Sequence, residues 1–266
     1  MTALKRTAPA LPAETPVFDQ ARKAYRLAEC RDKITEIFRY YDVSMYLAIF
    51  DQMHAHVNQD TYHNKDHAYI TALNSLEGAI WAGLDNTDCR AMLVAGLFHD
   101  AAHSRGYASD AANICEAMRF FRATHDCVLT HDMCNLTALS GYELRIVKGA
   151  IKSTHFENGK YSTRVSSVYN KIIQDADLML YYIEDKKKVT EMLMGLRNEI
   201  NVTRDLLWEE PLSISEFIDT QVKFANSRSW HTNWAKLKAV YLNWPHQAKQ
   251  AVKNLAELQP AELHSL

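Results

Sequence analysis

Large apolar residues recur at intervals of three and four along most of the chain, the spacing that lines one face of an α-helix. Between residues 66 and 84 this spacing is followed by Tyr69, Leu73, Leu76, Ile80 and Leu84. Asn64 or Asp66 is suited to cap the start of this helix. Residues 87–101 are apolar on nearly every side, so we expect that helix at the centre of its domain.

The pattern predicts an all-α fold, a helical bundle. Further helices are predicted over residues 110–124, 142–154, 164–184, 187–208, 213–226 and 231–254, with one or two more between residues 18 and 56. Glycine occurs 8 times and proline 6 times, and alternating apolar and polar runs are few, which argues against a β-sheet protein. Uninterrupted apolar runs of about 18 residues are absent, so we expect no membrane-spanning helix.

Residues 1–16 differ from the rest of the chain. Pro9, Pro12 and Pro16 fall there and large apolar residues are few, so we expect a flexible N-terminal arm. Residues 17–266 are long enough to bury a core and are predicted to form a single domain.

Charge and cysteine content narrow the function. Lys and Arg number 30 and Asp and Glu number 32, so the formal net charge is −2 and the chain lacks the basic character of a nucleic-acid binder. A small nucleotide or metabolite stays compatible, because a local site can be positive in a neutral protein. The 5 cysteines include no Cys-x-x-Cys pair and the N-terminus has no apolar signal region, so we expect a cytoplasmic protein without disulfides. The sequence leaves a homo-oligomer open.

Three segments bear side chains suited to metal chemistry. Residues 62–68, the first, read Tyr-His-Asn-Lys-Asp-His-Ala, and the spacing of four between His63 and His67 places both imidazoles on one side of a helix or helical turn. Taken alone, such a pair is commonly only a solvent-facing feature.

The second segment, residues 96–103, reads Gly-Leu-Phe-His-Asp-Ala-Ala-His, so His99 and Asp100 end the apolar helix. A helical Asp100 places His103 one turn further on. An unpaired carboxylate in this setting would be costly, and a divalent cation would compensate it. A buried His–Asp pair that stabilises the helix end is the alternative.

The third segment, residues 174–179, reads Gln-Asp-Ala-Asp-Leu-Met within another apolar helix. Periodicity alone does not choose between Asp175 and Asp177 as the acid that needs a partner. His155 ends a further predicted helix, where it either lines the same pocket or is an ordinary helix-terminal histidine. Imidazole nitrogen with carboxylate oxygen suits zinc, manganese, iron or magnesium, and a pair of such ions can generate a hydroxide nucleophile and clamp a phosphate.

Together the three segments resemble the HD-domain metal-dependent phosphohydrolases, all-α proteins whose hallmark is a His, then an adjacent His-Asp, then a distant Asp. The resemblance is closer to their cyclic-nucleotide phosphodiesterase branch, which has Tyr-His-Asn-x-x-His-Ala, His-Asp-x-x-His followed shortly by Gly, and Ala-Asp-Leu. This chain has these motifs at residues 62–68, 99–106 and 176–178. The likeness covers about residues 40–225.

The resemblance implies a role for each matching residue. A first divalent ion would be held by His67, His99, Asp100 and Asp177. Asp100 would also reach a second ion, and the Ala-Asp-Leu match favours Asp177 over Asp175. His63 would be the general acid that protonates the leaving oxygen. His103 and His155 would contact water around the second ion.

The implied reaction is hydrolysis of a nucleotide phosphodiester, first of all a 3′,5′-cyclic nucleotide, by hydroxide activated on two divalent ions (zinc, manganese, magnesium or iron). The implied partner is a small nucleotide, with neither a nucleic-acid polymer nor a membrane involved. Gln221 and Phe224 resemble the family's base-recognition Gln and aromatic clamp, although a helix-surface Gln beside a core Phe also accounts for so short a pattern.

The chain departs from the branch after Ala-Asp-Leu, where the phosphodiesterases continue with Ser-Asn-Pro and residues 179–181 are Met-Leu-Tyr. An HD-type nucleotidase, dNTP hydrolase or alarmone hydrolase is therefore an alternative. An HD-type di-iron oxygenase is another, and His103 and His155 would supply its additional ligands.

Overall fold

The computed structural model describes residues 27–55, 61–131, 137–157, 160–162, 166–179 and 186–241, together with residues 246, 250 and 253–255. The arm predicted at residues 1–16 lies outside these ranges, and the single domain over residues 17–266 stays a prediction.

Helices dominate the described ranges, which confirms the predicted all-α fold class. They are α1 (Leu27–Tyr40), α2 (Ser44–Met53), α3 (Lys65–Trp81), α4 (Asn86–Phe98), α5 (Asp110–His131), α6 (Gly141–Ser153), α7 (Val168–Asp177), α8 (Lys186–Leu206), α9 (Ile214–Ser227) and α10 (Asn233–Tyr241). One antiparallel hairpin pairs β1 (Phe156–Glu157) with β2 (Lys160–Tyr161). None of the helices in these ranges has the length and apolarity needed to cross a lipid bilayer.

The central helix is α4, as its all-round apolar sequence predicts. Its side chains from Met92 to Val94 and at Leu97 and Phe98 are completely buried, and α3, α6 and α7 pack around it. Gly96 permits the approach of α3, because a Cβ there would lie 2.6 Å from the Cα of Ala72. The close α3–α4 packing brings the first two sequence motifs together.

Two helix ends near these motifs decide where their side chains point. Asn64 is the cap that α3 uses, since its side chain accepts the N–H of His67 at 3.1 Å. The second helix end is the C-terminus of α4, which stops at Phe98. In the turn that follows, Ala102 and Arg105 have φ angles of 65° and 55°. The prediction of a helical Asp100 is therefore wrong: this residue lies in a turn.

Other boundaries also differ from the spacing-based predictions. α5 continues to His131, and α7 covers Val168–Asp177 of the predicted 164–184, with residues 166–167 and 178–179 not helical. The predicted helix over residues 231–254 includes positions outside the described residues, so its end stays a prediction. The hairpin was not predicted, because two-residue strands are too short to show an alternating pattern.

A second apolar cluster joins α8, α9 and α10 to α3. It includes Tyr62, Ile70, Met192, Phe217 and Trp234. A cavity of about 600 Å³ lies beside this cluster, bordered by the turn after α4, the hairpin, the end of α7, and parts of α8 and α9. All three sequence motifs reach this cavity.

Candidate metal centre

Four side chains converge where α3, α4 and α7 meet. The ligand atoms of this group lie within 4.8 Å of one another and belong to His67, His99, Asp100 and Asp177. The Nε2 atoms of His67 and His99 are 3.1 Å apart, and each lies 3.2 Å from Asp177 Oδ1. Asp100 Oδ2 is 2.9 Å from His99 Nε2. Donor atoms bound about 2.0–2.2 Å from one ion lie about 3.0–3.5 Å apart, so the group has the spacing of a ligand set.

The backbone of α4 determines which nitrogen of His99 faces this group. Nδ1 lies 2.8 Å from the carbonyl oxygen of Gly96. A carbonyl only accepts hydrogen bonds, so Nδ1 carries the proton and the neutral ring keeps its lone pair on Nε2. His99 therefore presents a metal-ligating atom to the group, and its side chain is completely buried.

Both carboxylates stand at C-terminal ends of helices. Asp177 is the last residue of α7, and Asp100 follows the end of α4 by two positions. A helix C-terminus carries partial negative charge, so two acids that meet there favour a cation between them. Burial opposes their ionisation, but His99 and the other nearby histidines together outweigh burial and hold the pKa of each carboxyl below its ordinary value.

The pKa of His99 responds to the same charges in the opposite sense. Burial lowers it, but Asp100 and then Asp177 outweigh burial and raise it well above its ordinary value. The centre therefore attracts positive charge. Because metal binding requires deprotonated ligands, a divalent ion would replace a proton here, and the donor set fits such an ion.

Asp175, the other acid of the third motif, lies away from the group. Its carboxylate accepts the backbone N–H groups of His231 at 3.1 Å and Thr232 at 2.8 Å, and it lies 3.3 Å from Arg228 Nη2. These bonds anchor the start of α10. The structure thus brings Asp177, and not Asp175, to the candidate metal centre.

His63 lies beside the ligand group. Its Nε2 is 3.5 Å from Asp100 Oδ2, and its Nδ1 is 2.5 Å from Glu199 Oε2. The other oxygen of Glu199 accepts the backbone N–H groups of Tyr62 and His63 at 2.9 and 3.2 Å. Burial lowers the pKa of His63, but Glu199 and then Asp100 outweigh burial and raise it. The ring therefore favours its protonated form.

Glu199 was not among the predicted site residues. It lies on α8, 136 positions after His63, and a lone acid on a long polar helix has no local signal. Gly106 explains how the two segments meet: its φ is 95°, and a Cβ there would lie 2.2 Å from the carbonyl oxygen of Glu199. The glycine in the second motif thus allows the turn after α4 to touch α8.

His103 stacks on His63, with ring centroids 3.6 Å apart. Its Nδ1 accepts the N–H of Arg105 at 3.0 Å, and burial, aided by the nearby charge of His63, lowers its pKa to about 3. His103 is therefore a neutral support for His63. With Glu199, these two histidines form a second group of ligand atoms within 4.8 Å.

His155 is not brought to either group. α6 ends at Ser153, and His155 precedes β1, where its Nδ1 lies 2.6 Å from Ser162 Oγ. Among the described residues, His155 belongs to neither group of ligand atoms, so its place around a second ion stays a prediction.

Tyr161 is a second residue at the centre that helical spacing did not reveal. Its hydroxyl lies 3.0 Å from Asp177 Oδ2 and 2.8 Å from the carbonyl oxygen of Gln174. Burial and then Asp177 raise the pKa of this phenol well above its ordinary value, so it keeps its proton and acts as a donor.

The cavity opens directly on His63, Asp100 and Asp177. Most of its wall is apolar and is formed by Phe156, Leu178, Leu193, Leu196, Ile200 and Phe224. Gln221, which is buried, lies on the same wall, so both residues predicted to recognise a base border the cavity. Among its described lining residues, Lys223 is the one lysine or arginine.

Comparison with protein-family models and with characterised proteins finds no match to this chain. The structure itself therefore shows a helical fold with a buried His/Asp group able to bind a metal ion.

Proposed function

We propose that the protein is an HD-type metal-dependent phosphohydrolase that cleaves a phosphodiester in a small nucleotide, with a 3′,5′-cyclic nucleotide as the leading substrate. The observation that carries this proposal is the convergence of three distant motifs on one cavity. His67, His99, Asp100 and Asp177 occur in the order of the HD hallmark and meet within 4.8 Å.

The first divalent ion would be held by these four residues, and Asp100 is the member that would reach a second. Zinc, manganese, magnesium and iron all suit imidazole and carboxylate donors. When bound, such ions polarise phosphoryl oxygens and make water acidic enough to attack at neutral pH.

His63 would act as the general acid. The Glu199 carboxylate, 2.5 Å from Nδ1, favours the protonated ring, and Nε2 points towards the metal-binding group and the cavity. As water oxygen bonds to phosphorus and the bond to the ribose 3′ oxygen breaks, the proton on Nε2 would pass to that oxygen. Glu199 would stabilise the charge on the ring until the proton leaves.

The cavity supports a substrate with a single phosphate group and a flat apolar body. Polyphosphates are recognised by several cationic groups, whereas the described part of this cavity wall offers only Lys223 beyond the histidines and the metal-binding group. Phe156 and Phe224, whose ring centroids are 6.4 Å apart, provide surfaces for a base, and Gln221 provides an amide for its edge. These features favour a cyclic mononucleotide over a dNTP or an alarmone.

The di-iron oxygenase alternative calls for additional imidazole ligands. His103 belongs to the second group of ligand atoms, with His63 and Glu199, whereas His155 belongs to neither group and has Nδ1 2.6 Å from Ser162 Oγ. Metal analysis after anaerobic purification would separate this alternative, because the oxygenase requires iron.

The test is a substrate panel with purified protein of measured metal content: 3′,5′-cAMP, 3′,5′-cGMP, cyclic dinucleotides, AMP, dNTPs and a guanosine tetraphosphate. We expect hydrolysis of a cyclic nucleotide to its 5′-monophosphate and loss of activity with a chelator. His99→Ala and Asp100→Ala should lose both metal and activity, whereas His131→Ala, at an exposed position, should lose neither. Exclusive turnover of dNTPs or AMP would select the alternative, and unchanged metal content in both ligand variants would overturn the proposed centre.

A further inference from the structure

We propose that Tyr161 is a positioning residue for Asp177: its hydroxyl holds one carboxylate oxygen so that the other faces the histidines of the metal centre. This inference rests on the proposed metal centre, and it adds a residue that lies outside the three motifs.

The two oxygens of Asp177 have different partners. Oδ1 lies 3.2 Å from Nε2 of both His67 and His99. Oδ2 lies 3.0 Å from the Tyr161 hydroxyl. Without a donor on Oδ2, the carboxylate could rotate about its terminal bond and present either oxygen. Hydrogen bonds of this kind orient metal ligands, and their loss typically weakens metal affinity about 10- to 100-fold.

The hydroxyl has one proton and two acceptors within reach, Asp177 Oδ2 and the carbonyl oxygen of Gln174 at 2.8 Å. Gln174 is in the last turn of α7, where carbonyls lack donors from their own helix. Arg228 Nη2 also lies 3.4 Å from this carbonyl oxygen. Because the carbonyl has this second donor, the proton of Tyr161 is available to Asp177.

The hairpin keeps Tyr161 in place. Tyr161 is paired in register with Phe156, and their rings meet edge to face with centroids 5.1 Å apart. The backbone N–H of Phe156 donates to Asp110 at 2.6 Å, which ties the hairpin to the start of α5. A ligand-orienting side chain is effective when its own position is restricted in this way.

The experiment compares Tyr161→Phe with Tyr169→Phe. Both changes remove one phenolic oxygen that lies 3.0 Å from a carboxylate, but the partner of Tyr169 is Asp88, which lies outside the metal-binding group. Affinity for Mn²⁺ and Zn²⁺ would be measured by calorimetry on metal-stripped protein, after circular dichroism has shown native helicity. We expect affinity to fall about 10- to 100-fold in Tyr161→Phe and to stay unchanged in Tyr169→Phe.

A double-mutant cycle with Asp177→Asn shows whether Tyr161 acts through that ligand. We expect Tyr161→Phe to cause no further loss of affinity once Asp177 is replaced. Independent, additive losses would overturn the inference, as would wild-type affinity in Tyr161→Phe or equal losses in the two tyrosine variants. If the wild-type protein bound neither ion, the metal centre itself would be refuted, an outcome distinct from failure of the Tyr161 role alone.

Discussion

Replacing His63 by asparagine or alanine would remove the proposed proton donor and leave all four metal-binding side chains in place. His63 Nε2 is 3.5 Å from Asp100 Oδ2, and His63 is not one of the four residues proposed to hold the first ion. We therefore expect near-normal metal content in both variants. The rate of cyclic-nucleotide hydrolysis should nevertheless fall, because the leaving ribose oxygen would depart without a proton.

The size of the loss follows from the role. A positioned general acid contributes about 10²- to 10⁴-fold, which is about 2.7–5.4 kcal/mol of barrier at 1.36 kcal/mol per tenfold. The structure makes His63 a well-prepared donor, since Glu199 contacts Nδ1 at 2.5 Å and His103 stacks on the ring. A p-nitrophenyl phosphodiester, whose leaving group needs no proton, should lose far less.

The assay measures kcat/KM for both substrates in wild type, His63→Asn and His63→Ala, with metal quantified by mass spectrometry in each preparation. Glu199→Gln is the companion variant: it keeps a side chain of the same shape but removes the charge, and it should show a smaller loss with the same substrate dependence. Equal losses on the two substrates would refute proton donation. Depleted metal in the His63 variants would make His63 a ligand instead.

Three further predictions use other parts of the structure. Asp177→Asn should lower metal affinity, measured by calorimetry, much more than Asp175→Asn does. Asp175→Asn should instead lower the free energy of unfolding, measured by chemical denaturation, by about 1–3 kcal/mol, because Asp175 bonds the start of α10. A larger loss of metal affinity in Asp175→Asn would make Asp175 the ligand. Gly96→Ala should destabilise the protein by about 1–3 kcal/mol, because the new Cβ would overlap α3. Gly149→Ala, which has open space around it, should stabilise the protein by about 0.5–1 kcal/mol. Equal urea midpoints for the two variants would contradict the packing argument. Burial raises the pKa of Asp110 from 3.8 to about 6, so the folded state binds this proton more tightly than the unfolded state. The stability of the wild-type protein should therefore fall as pH rises from about 4 to about 6. Asp110→Asn should gain stability relative to wild type across that window, and a difference in melting temperature that does not change with pH would refute this prediction.

The amino-acid sequence by itself determined the helical fold class and three of the four residues of the candidate metal centre. Spacings of three and four between apolar residues are a local property, so they predict helices without knowledge of neighbours. The same is true of the all-round apolar α4, which can be stable only at the centre of a bundle. His67, His99 and Asp100 were recognisable because residue type and short spacing already define their motifs.

Only the tertiary structure decided which distant groups complete that centre. Asp175 and Asp177 have similar apolar neighbours in sequence, and the orientation of α7 against α3, α4 and α10 separates a structural acid from a member of the metal-binding group. Glu199 and Tyr161 reach the centre from α8 and from a hairpin that leaves no periodic pattern, while His155 belongs to neither group of ligand atoms and lies against Ser162. Helical periodicity reports which side of an element is buried, but contacts between elements far apart in sequence depend on how the elements pack, which no local pattern encodes.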